Sequence, residues 1–196
     1  DLNHTGWLRN LIVRYASTGQ LMVNVCISED IENDRKILLD TLLAEVPEIT
    51  TLLYTINSKK NDSLYDLIPQ VYFGKGYITE KLRVADEGPC LEFIISSKSF
   101  FQTNTRQAEK LYRVVREMSA LIGRETVYDL YCGTGSIGLF VSDGAKKIIG
   151  VETVAEAVED AHENARLNAI SHAQFFAGDV IDICNSAFFS QHGIPD

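Results

Sequence analysis

The stretch that decides the fold covers residues 127–138 and reads V-Y-D-L-Y-C-G-T-G-S-I-G. Its apolar and aromatic first half predicts a strand ending near Tyr131, and glycines follow at Gly133, Gly135 and Gly138. Glycine is needed where a chain leaves a strand, turns sharply into a helix and lets its backbone approach a ligand more closely than a Cβ would permit. The stretch therefore predicts a strand, a ligand-binding loop and a helix in direct succession.

The residues around this loop alternate between strand and helix patterns. The predicted strands and helices are 126–131, 136–142, 147–151, 154–168 and 173–176. Strands that alternate with helices of this length imply right-handed crossovers and a parallel sheet. We therefore predict an α/β fold for residues 96–196, with a truncated parallel sheet of the Rossmann-like type.

An amphipathic helix precedes the first of these strands. Asn104 and Gln107 have the spacing of a capping box at its start, and Gly123 suits the position just after its end. The apolar residues predicted to form its buried face are Leu111, Val114, Val115, Met118, Leu121 and Ile122.

Three acidic residues suggest what the glycine loop binds. Glu152 ends the second parallel strand, where it can accept hydrogen bonds from both ribose hydroxyls of an adenosine, and Asp179 follows the third, where methyltransferases commonly contact adenine. Asp129, just before the glycines, can serve the cationic methionine end of S-adenosylmethionine (SAM), directly or through the loop. The order acid, glycines, acid, acid favours SAM as the cofactor.

A nicotinamide dinucleotide is the alternative cofactor. The three glycines also satisfy G-x-G-x-x-G, and Glu152 stands nineteen residues after Gly133, as in a dinucleotide-binding fold. Dinucleotide loops hold a pyrophosphate at a helix N-terminus, however, and usually follow an entirely apolar strand, whereas Asp129 interrupts this one. An NAD-dependent oxidoreductase therefore remains as an alternative function.

Residues 1–95 show a different pattern. Two β-branched runs, 11–15 and 21–27, flank a turn and predict a hairpin. A helix capped by Asn33, a third strand at 50–56 and short strands near 77–81 and 91–95 complete a small, mostly antiparallel α+β domain. We expect this central domain to be a possible site of RNA contact.

Charge and cysteine content limit the function classes. A non-enzymatic RNA-binding module is a further alternative function. The net charge of −9 argues against it, because such modules carry a basic excess. The four cysteines, at positions 26, 90, 132 and 184, form no C-x₂-C pair, so no metal site is expected and reduced thiols in a cytoplasmic protein are favoured. No apolar run reaches the ~20 residues of a membrane span.

A second motif gives a family resemblance. Residues 99–104, S-F-F-Q-T-N, resemble the F-F-Q-x-N signature of the RNA uracil-5-methyltransferases, which make 5-methyluridine in 23S ribosomal RNA and in tRNA. The other segments similar to that family are D-L-Y-C-G-T-G at 129–135, G-V-E at 150–152, N-A-R-L-N at 164–168, and the central-domain stretches 6–11 and 77–82. The resemblance implies SAM-dependent methylation of C5 of uridine, with 23S rRNA as the first candidate substrate, and hence a role in rRNA processing, and with tRNA as the alternative.

The same resemblance implies roles for individual residues. Gln102 would bind the methionine end of SAM, Tyr131 would pack against the cofactor, Glu152 would hold the ribose and Asp179 the adenine. From the residues alone, Gln102 could instead be a hydrogen bonder at a helix start, and Tyr131 a core aromatic. The cofactor-binding residues we predict are Gln102, Tyr131, Gly133, Gly135, Ser136, Glu152 and Asp179.

The chain departs from the family pattern in its catalytic groups. The family adds a cysteine to C6 of uracil and removes the C5 proton with a base, and none of the four cysteines here has the matching context. No catalytic residue is therefore predicted in this chain. We expect a fragment that lacks the catalytic C-terminal part, is inactive alone, and could self-associate through the open edge of its truncated sheet.

Overall fold

The computed structural model describes residues 6–88 and 90–196, which divide into two compact units. The first unit contains residues up to 79 together with 96–98, and the second contains 80–95 together with 99–196. The elements are β1 (Leu8–Tyr15), β2 (Leu21–Ile27), α1 (Glu32–Glu45), β3 (Ile49–Ile56), β4 (Gln70–Phe73), β5 (Tyr77–Arg83), β6 (Cys90–Ser96), α2 (Thr105–Ser119), β7 (Thr126–Leu130), α3 (Ser136–Phe140), β8 (Lys147–Glu152), α4 (Ala155–Leu167), β9 (Ala173–Ala177), α5 (Val180–Ile183) and α6 (Ser186–His192).

The first unit is built on a four-stranded sheet in the order β1-β2-β3-β4. β1 and β2 form the predicted antiparallel hairpin, β2 and β3 run parallel because α1 crosses between them, and β3 pairs antiparallel with β4. Leu39 of α1 packs on Val23, Val25 and Leu52 in the core. The predicted Asn33 cap is wrong: α1 begins at Glu32, and its capping position makes no side-chain hydrogen bond.

The second unit contains the predicted parallel sheet, in the order β7-β8-β9. Val127 and Ile148 face a core that includes Val141, which follows α3. On β7, the next side chain, Tyr128, contacts Phe188 and Phe189 of α6 instead. This alternation follows from the two-residue period of a strand, so each face of the sheet is covered by different helices.

Residues 80–95 lie in the second unit, whereas the sequence placed them in the first domain. The physical reason is a set of hydrogen bonds between the backbone of β6 and side chains at the C-terminal end of α4. Asn168, directly after α4, accepts a hydrogen bond from the backbone N of Glu92, and Asn164 of α4 accepts one from the N of Ile94, at 2.9 and 2.6 Å. These contacts join partners about seventy residues apart, and local sequence pattern does not reveal them.

α2 is capped as predicted, but only part of its predicted apolar face is packed. The Asn104 side chain accepts a hydrogen bond from the backbone N of Gln107 at 3.1 Å. The helix buries Ala108 and Tyr112, and the predicted residues Val115 and Leu121 pack against the core of the sheet, whereas the predicted residue Met118 is 81% exposed. The left-handed residue after its end is Ala120, with φ 46°, so Gly123 does not take the predicted terminating position.

The C-terminal residues lie against the start of β7. The Tyr128 hydroxyl donates to the carbonyl of Gly193 at 2.6 Å, and the N–H of Thr126 donates to the Asp196 carboxylate at 2.8 Å.

Within 6–88 and 90–196, no helix has both the length and the apolar character required to cross a membrane.

Candidate cofactor site

The carboxyl ends of the three parallel strands bring the predicted motifs together. Leu130 is in register with Val151, and Glu152 is in register with Ala177. Beyond the strand ends, the N–H of Cys132 donates to the carbonyl of Val151, and the N–H of Gly178 donates to the carbonyl of Glu152. The glycine loop, Glu152 and the segment leading to Asp179 therefore lie at one end of the sheet, where ligands of open α/β sheets bind.

The glycine loop begins at a residue with unusual backbone geometry. Tyr131 has φ 61°, in the left-handed region that a non-glycine residue adopts at a cost on the order of 1–3 kcal/mol. Its side chain is 68% exposed, so Tyr131 is not a core aromatic. Strain of this kind is retained where the surrounding structure requires it, and here the loop turns away from β7 immediately afterwards.

The first two glycines of the loop are required for different reasons. A Cβ on Gly133 would meet only the carbonyl oxygen of Phe100, at 3.9 Å, so this side of the loop borders open space. A Cβ on Gly135 would lie 2.8 Å from the ring of Phe175, and one on Gly150 would lie 2.3 Å from the same ring. Gly133 thus leaves room for a ligand, whereas Gly135 and Gly150 allow the buried ring of Phe175 to pack directly against the backbone.

Glu152 holds the loop through its carboxylate. Oε2 accepts from the N–H of Gly133 at 3.0 Å, while Oε1 accepts from the N–H of Val154 at 3.0 Å and from the Thr153 hydroxyl at 3.1 Å. Burial raises the pKa of this carboxyl, but the backbone hydrogen bonds outweigh that effect and hold the pKa below its ordinary value. The group is therefore ionised at neutral pH, and Oε2 retains a lone pair for a further donor.

The Asp129 carboxylate hydrogen-bonds to the backbone that follows the loop. Its Oδ2 accepts from the N–H of Gly138 at 2.8 Å. A Cβ on Gly138 would lie 3.1 Å from that oxygen and 2.9 Å from Ile148, so the third glycine of the motif is needed for packing. Burial raises the pKa of Asp129 to about 6, with the charge of Glu152 adding to the effect and the Gly138 hydrogen bond opposing it.

The remaining predicted site residues differ in whether their side chains already have hydrogen-bond partners. Gln102 is partly buried, and its side chain makes no hydrogen bond to any residue that the structure describes. The Ser136 hydroxyl pairs with the Tyr112 hydroxyl at 3.0 Å, and Asp179 caps the short helix α5 through the N–H of Ile181 at 2.9 Å. Gln102 is thus available to a ligand, whereas Ser136 and Asp179 already have structural partners.

Sequence reasoning missed one group of contacts at the site. Asn164 lies in the quoted N-A-R-L-N stretch, and its amide donates to the carbonyl of Thr134 inside the glycine loop at 3.1 Å. The four-residue spacing of the two asparagines indicates a shared helix face, but it does not identify the loop as the partner. No group of three or more metal-ligating side chains occurs within the described part of the chain.

These features fit an adenosine-containing, cationic ligand better than a diphosphate. Open space lies beside Gly133, and ionised carboxylates flank the loop at Glu152 and, above its pKa, at Asp129. A carboxylate accepts hydrogen bonds from hydroxyl and amino groups and attracts a cation, whereas it repels phosphate. These hydrogen-bond acceptors and their negative charge therefore suit SAM.

Comparison with known proteins gives a consistent result. A family model described as tRNA (Uracil-5-)-methyltransferase matches residues 11–179. An uncharacterized RNA methyltransferase of Bacteroides thetaiotaomicron is 50% identical over 194 residues, and the match covers 97% of this chain and 41% of that protein. One from Porphyromonas gingivalis is 47% identical, with 99% and 40% covered. The chain thus spans about two fifths of the length of these curated relatives.

A solved structure shares the fold over most of the chain. The Pyrococcus abyssi tRNA (uracil-54, C5)-methyltransferase, in complex with S-adenosyl-L-homocysteine, is 27% identical and superposes with a TM-score of 0.69. The superposition covers 91% of this chain and 41% of that one. The truncated Rossmann-like sheet and the α+β unit before it accordingly have a counterpart in a methyltransferase that binds the demethylated product of SAM.

Proposed function

Because this chain belongs to the tRNA (uracil-5-)-methyltransferase family, we propose that it is the SAM-binding part of an enzyme that methylates C5 of uridine in RNA. The observation that carries the proposal is the convergence of the glycine loop, Glu152 and the Asp179 segment at one end of the parallel sheet. Family membership argues against both the oxidoreductase and the non-enzymatic alternatives. Such an enzyme would work in the cytoplasm.

We propose 23S rRNA as the substrate, following the resemblance of the motifs to the ribosomal members of the family. tRNA is the second candidate, because the solved relative from Pyrococcus abyssi is named for uracil 54 of tRNA. Supplying both RNAs to the full-length protein and locating the methylated uridine distinguishes them.

The residues of this chain would divide the work of holding the cofactor. SAM supplies an electrophilic methyl group on a sulfonium. Glu152 would accept hydrogen bonds from the ribose through its spare lone pair, and Asp179 would accept from the adenine amino group. Gln102, whose amide has no partner among the described residues, would contact the methionine end. Gly133 and the exposed Tyr131 would line the space between them.

Replacing Glu152 tests this assignment. Glu152→Ala is expected to weaken binding of S-adenosylhomocysteine (SAH) by about 1.5–3 kcal/mol, the range for hydrogen bonds to a charged group. Isothermal titration calorimetry of the purified chain measures the change. Glu125→Ala is the matched control, because Glu125 also holds backbone N–H groups, those of Ile122 and Arg124, but at the opposite end of β7. Unchanged affinity in Glu152→Ala would remove Glu152 from the site.

RNA contact by the first unit is the second part of the proposal. Two of its cations, Arg9 and Lys59, are paired with Asp62 and Asp66, whereas Lys60 and Lys75 are exposed. RNA binding is expected to weaken as salt rises, with a slope of about 0.7 for each phosphate neutralised on a single strand. Lys60→Ala and Lys75→Ala should each lower that slope in filter-binding titrations. RNA affinity that does not change with salt concentration would contradict a phosphate-contacting surface.

A further inference from the structure

α4 carries polar side chains at every fourth position along one face. They are Asp160 and Asn164 within the helix and Asn168 directly after its last residue, here called the α4 polar stripe. Residues four apart on a helix lie above one another on the same side. Asn164 is fully buried, so this face is an interior one. The stripe needs partners, because a buried amide without hydrogen bonds costs stability.

Those partners lie in β6 and the segment that follows it. Asn168 accepts from the N–H of Glu92 at 2.9 Å and donates to its carbonyl at 2.7 Å. Asn164 accepts from the N–H of Ile94 at 2.6 Å and donates to its carbonyl at 3.4 Å. Alternate residues of a strand are about 6.6 Å apart and residues four apart in a helix rise about 6 Å, so the two spacings match.

The third member of the stripe reaches the motif that carries Gln102. Asp160 accepts a hydrogen bond from the hydroxyl of Ser99, which is 2% exposed and stands three residues before Gln102. The carbonyl of Phe100, between them, is the atom that a Cβ on Gly133 would approach to 3.9 Å. The motif and the glycine loop therefore pass close to each other beside the open space at Gly133.

Asn164 hydrogen-bonds to both β6 and the glycine loop. Its amide donates to the carbonyl of Thr134 at 3.1 Å as well as to Ile94, while its oxygen accepts from Ile94. Thr134 is 1% exposed, so no solvent can take over this hydrogen bond. One side chain thus fixes the distance between the strand that leads into the Gln102 motif and the backbone of the loop.

We propose that Asn164 is a positioning residue for the methionine end of the cofactor. It sets the separation between the glycine loop and the segment that carries Gln102, without itself touching the ligand. The inference rests on the proposed function. Its consequence is selective: loss of Asn164 displaces the methionine subsite, whereas the adenosine subsite, formed by Glu152 and Asp179 on β8 and after β9, stays in place.

Binding of SAH and of adenosine by the same variants tests this selectivity. Asn164→Ala is expected to weaken SAH binding about tenfold, as loss of the hydrogen bond between Gln102 and the methionine end would, while adenosine affinity changes less than twofold. Asn168→Ala is the matched control, because Asn168 pairs with β6 but not with the loop. It should lower the melting temperature and leave both affinities within twofold.

A purely structural role for Asn164 predicts a different pattern. Equal loss of SAH and adenosine affinity in Asn164→Ala, or the same selective loss in Asn168→Ala, overturns the proposal. If Asn164→Ala does not fold by circular dichroism, Asn164→Asp carries the test, since an aspartate can still accept from the N–H of Ile94 but cannot donate to the carbonyl of Thr134 when ionised. Selective loss of SAH affinity in that variant supports the proposal, and unchanged SAH affinity overturns it. Failure of the unmodified chain to bind either ligand would instead overturn the proposed function.

Discussion

Incubated with methyl-labelled SAM and uridine-containing ribosomal or transfer RNA, this chain is expected to transfer no label to uracil C5. That carbon is a poor nucleophile until a thiolate adds to C6, so the reaction requires a cysteine that is ionised and accessible. A flipped uridine must also reach that cysteine.

The four cysteines of the chain do not meet these requirements. Burial raises the pKa of Cys26 and, far more strongly, that of Cys132 beside the glycine loop. Desolvation also raises the pKa of Cys184 and of Cys90, although Lys81 and Arg83 partly oppose it at Cys90. All four thiols are therefore protonated at neutral pH, and Cys26 and Cys132 are buried as well.

The measurement separates binding from transfer. SAH binding followed by calorimetry, together with absence of label in RNA, is the expected pair of results. The full-length protein, supplied in a parallel reaction, is expected to restore transfer. Label incorporated by the 196-residue chain and abolished in Cys90→Ala, the variant at the exposed cysteine, would show that the chain contains a catalytic thiol after all.

Asp129→Asn is expected to stabilise the folded chain at neutral pH by on the order of 3 kcal/mol. Burial raises the pKa of Asp129 in the folded state to about 6, above the value of 3.8 for an unperturbed carboxyl. The stability that Asp129 contributes is therefore fully present below pH 3.8 and is lost as the pH rises through 6. Each pKa unit corresponds to about 1.4 kcal/mol. Asparagine carries no charge and keeps an oxygen for the N–H of Gly138.

Urea denaturation between pH 4.5 and 7.5 measures this effect. The unmodified chain should lose stability relative to Asp129→Asn as the pH rises across that range. Asp143→Asn serves as a control with the opposite sign. The hydrogen bond from Arg116 lowers the pKa of Asp143, so its contribution is present at neutral pH and disappears only in acid. Parallel stability curves for the unmodified chain and Asp129→Asn would show that ionised Asp129 is not destabilising.

The sequence predicted the parallel sheet well and one helix face poorly. Strand and helix bounds from Thr126 to Ala177 agree with the predictions within two residues, because period-two and helical patterns alternate there without ambiguity. α2 has apolar residues on two faces, and spacing alone favours the richer one. The structure buries Ala108 and Tyr112 beside the predicted Val115 and leaves Met118 exposed, with the Tyr112 hydroxyl paired to that of Ser136. That partner lies outside the helix, so its own periodicity cannot reveal it.

Elements defined by distant partners were also missed. β4 has four residues and depends on pairing with β3, where Phe73 is in register with Leu52. At the site, the pattern predicted carboxylates after the strands, and Glu152 lies where it was placed. Its hydrogen bonds to Gly133 and Val154 depend on how the loop folds back, which strand periodicity does not describe. Its role toward SAM remains a prediction.

The paired asparagines of α4 also bear on solubility. β6 belongs to a two-stranded sheet, so one of its sides has no strand beside it among the described residues. A row of free N–H and C=O groups on such a strand is a template on which another chain can add, the first step of aggregation. Asn164 hydrogen-bonds to both the N–H and the carbonyl of Ile94, and Asn168 does the same at Glu92. Side-chain amides near the C-terminal end of α4 therefore satisfy these backbone groups of β6. The same groups are then not available for hydrogen bonding to another chain.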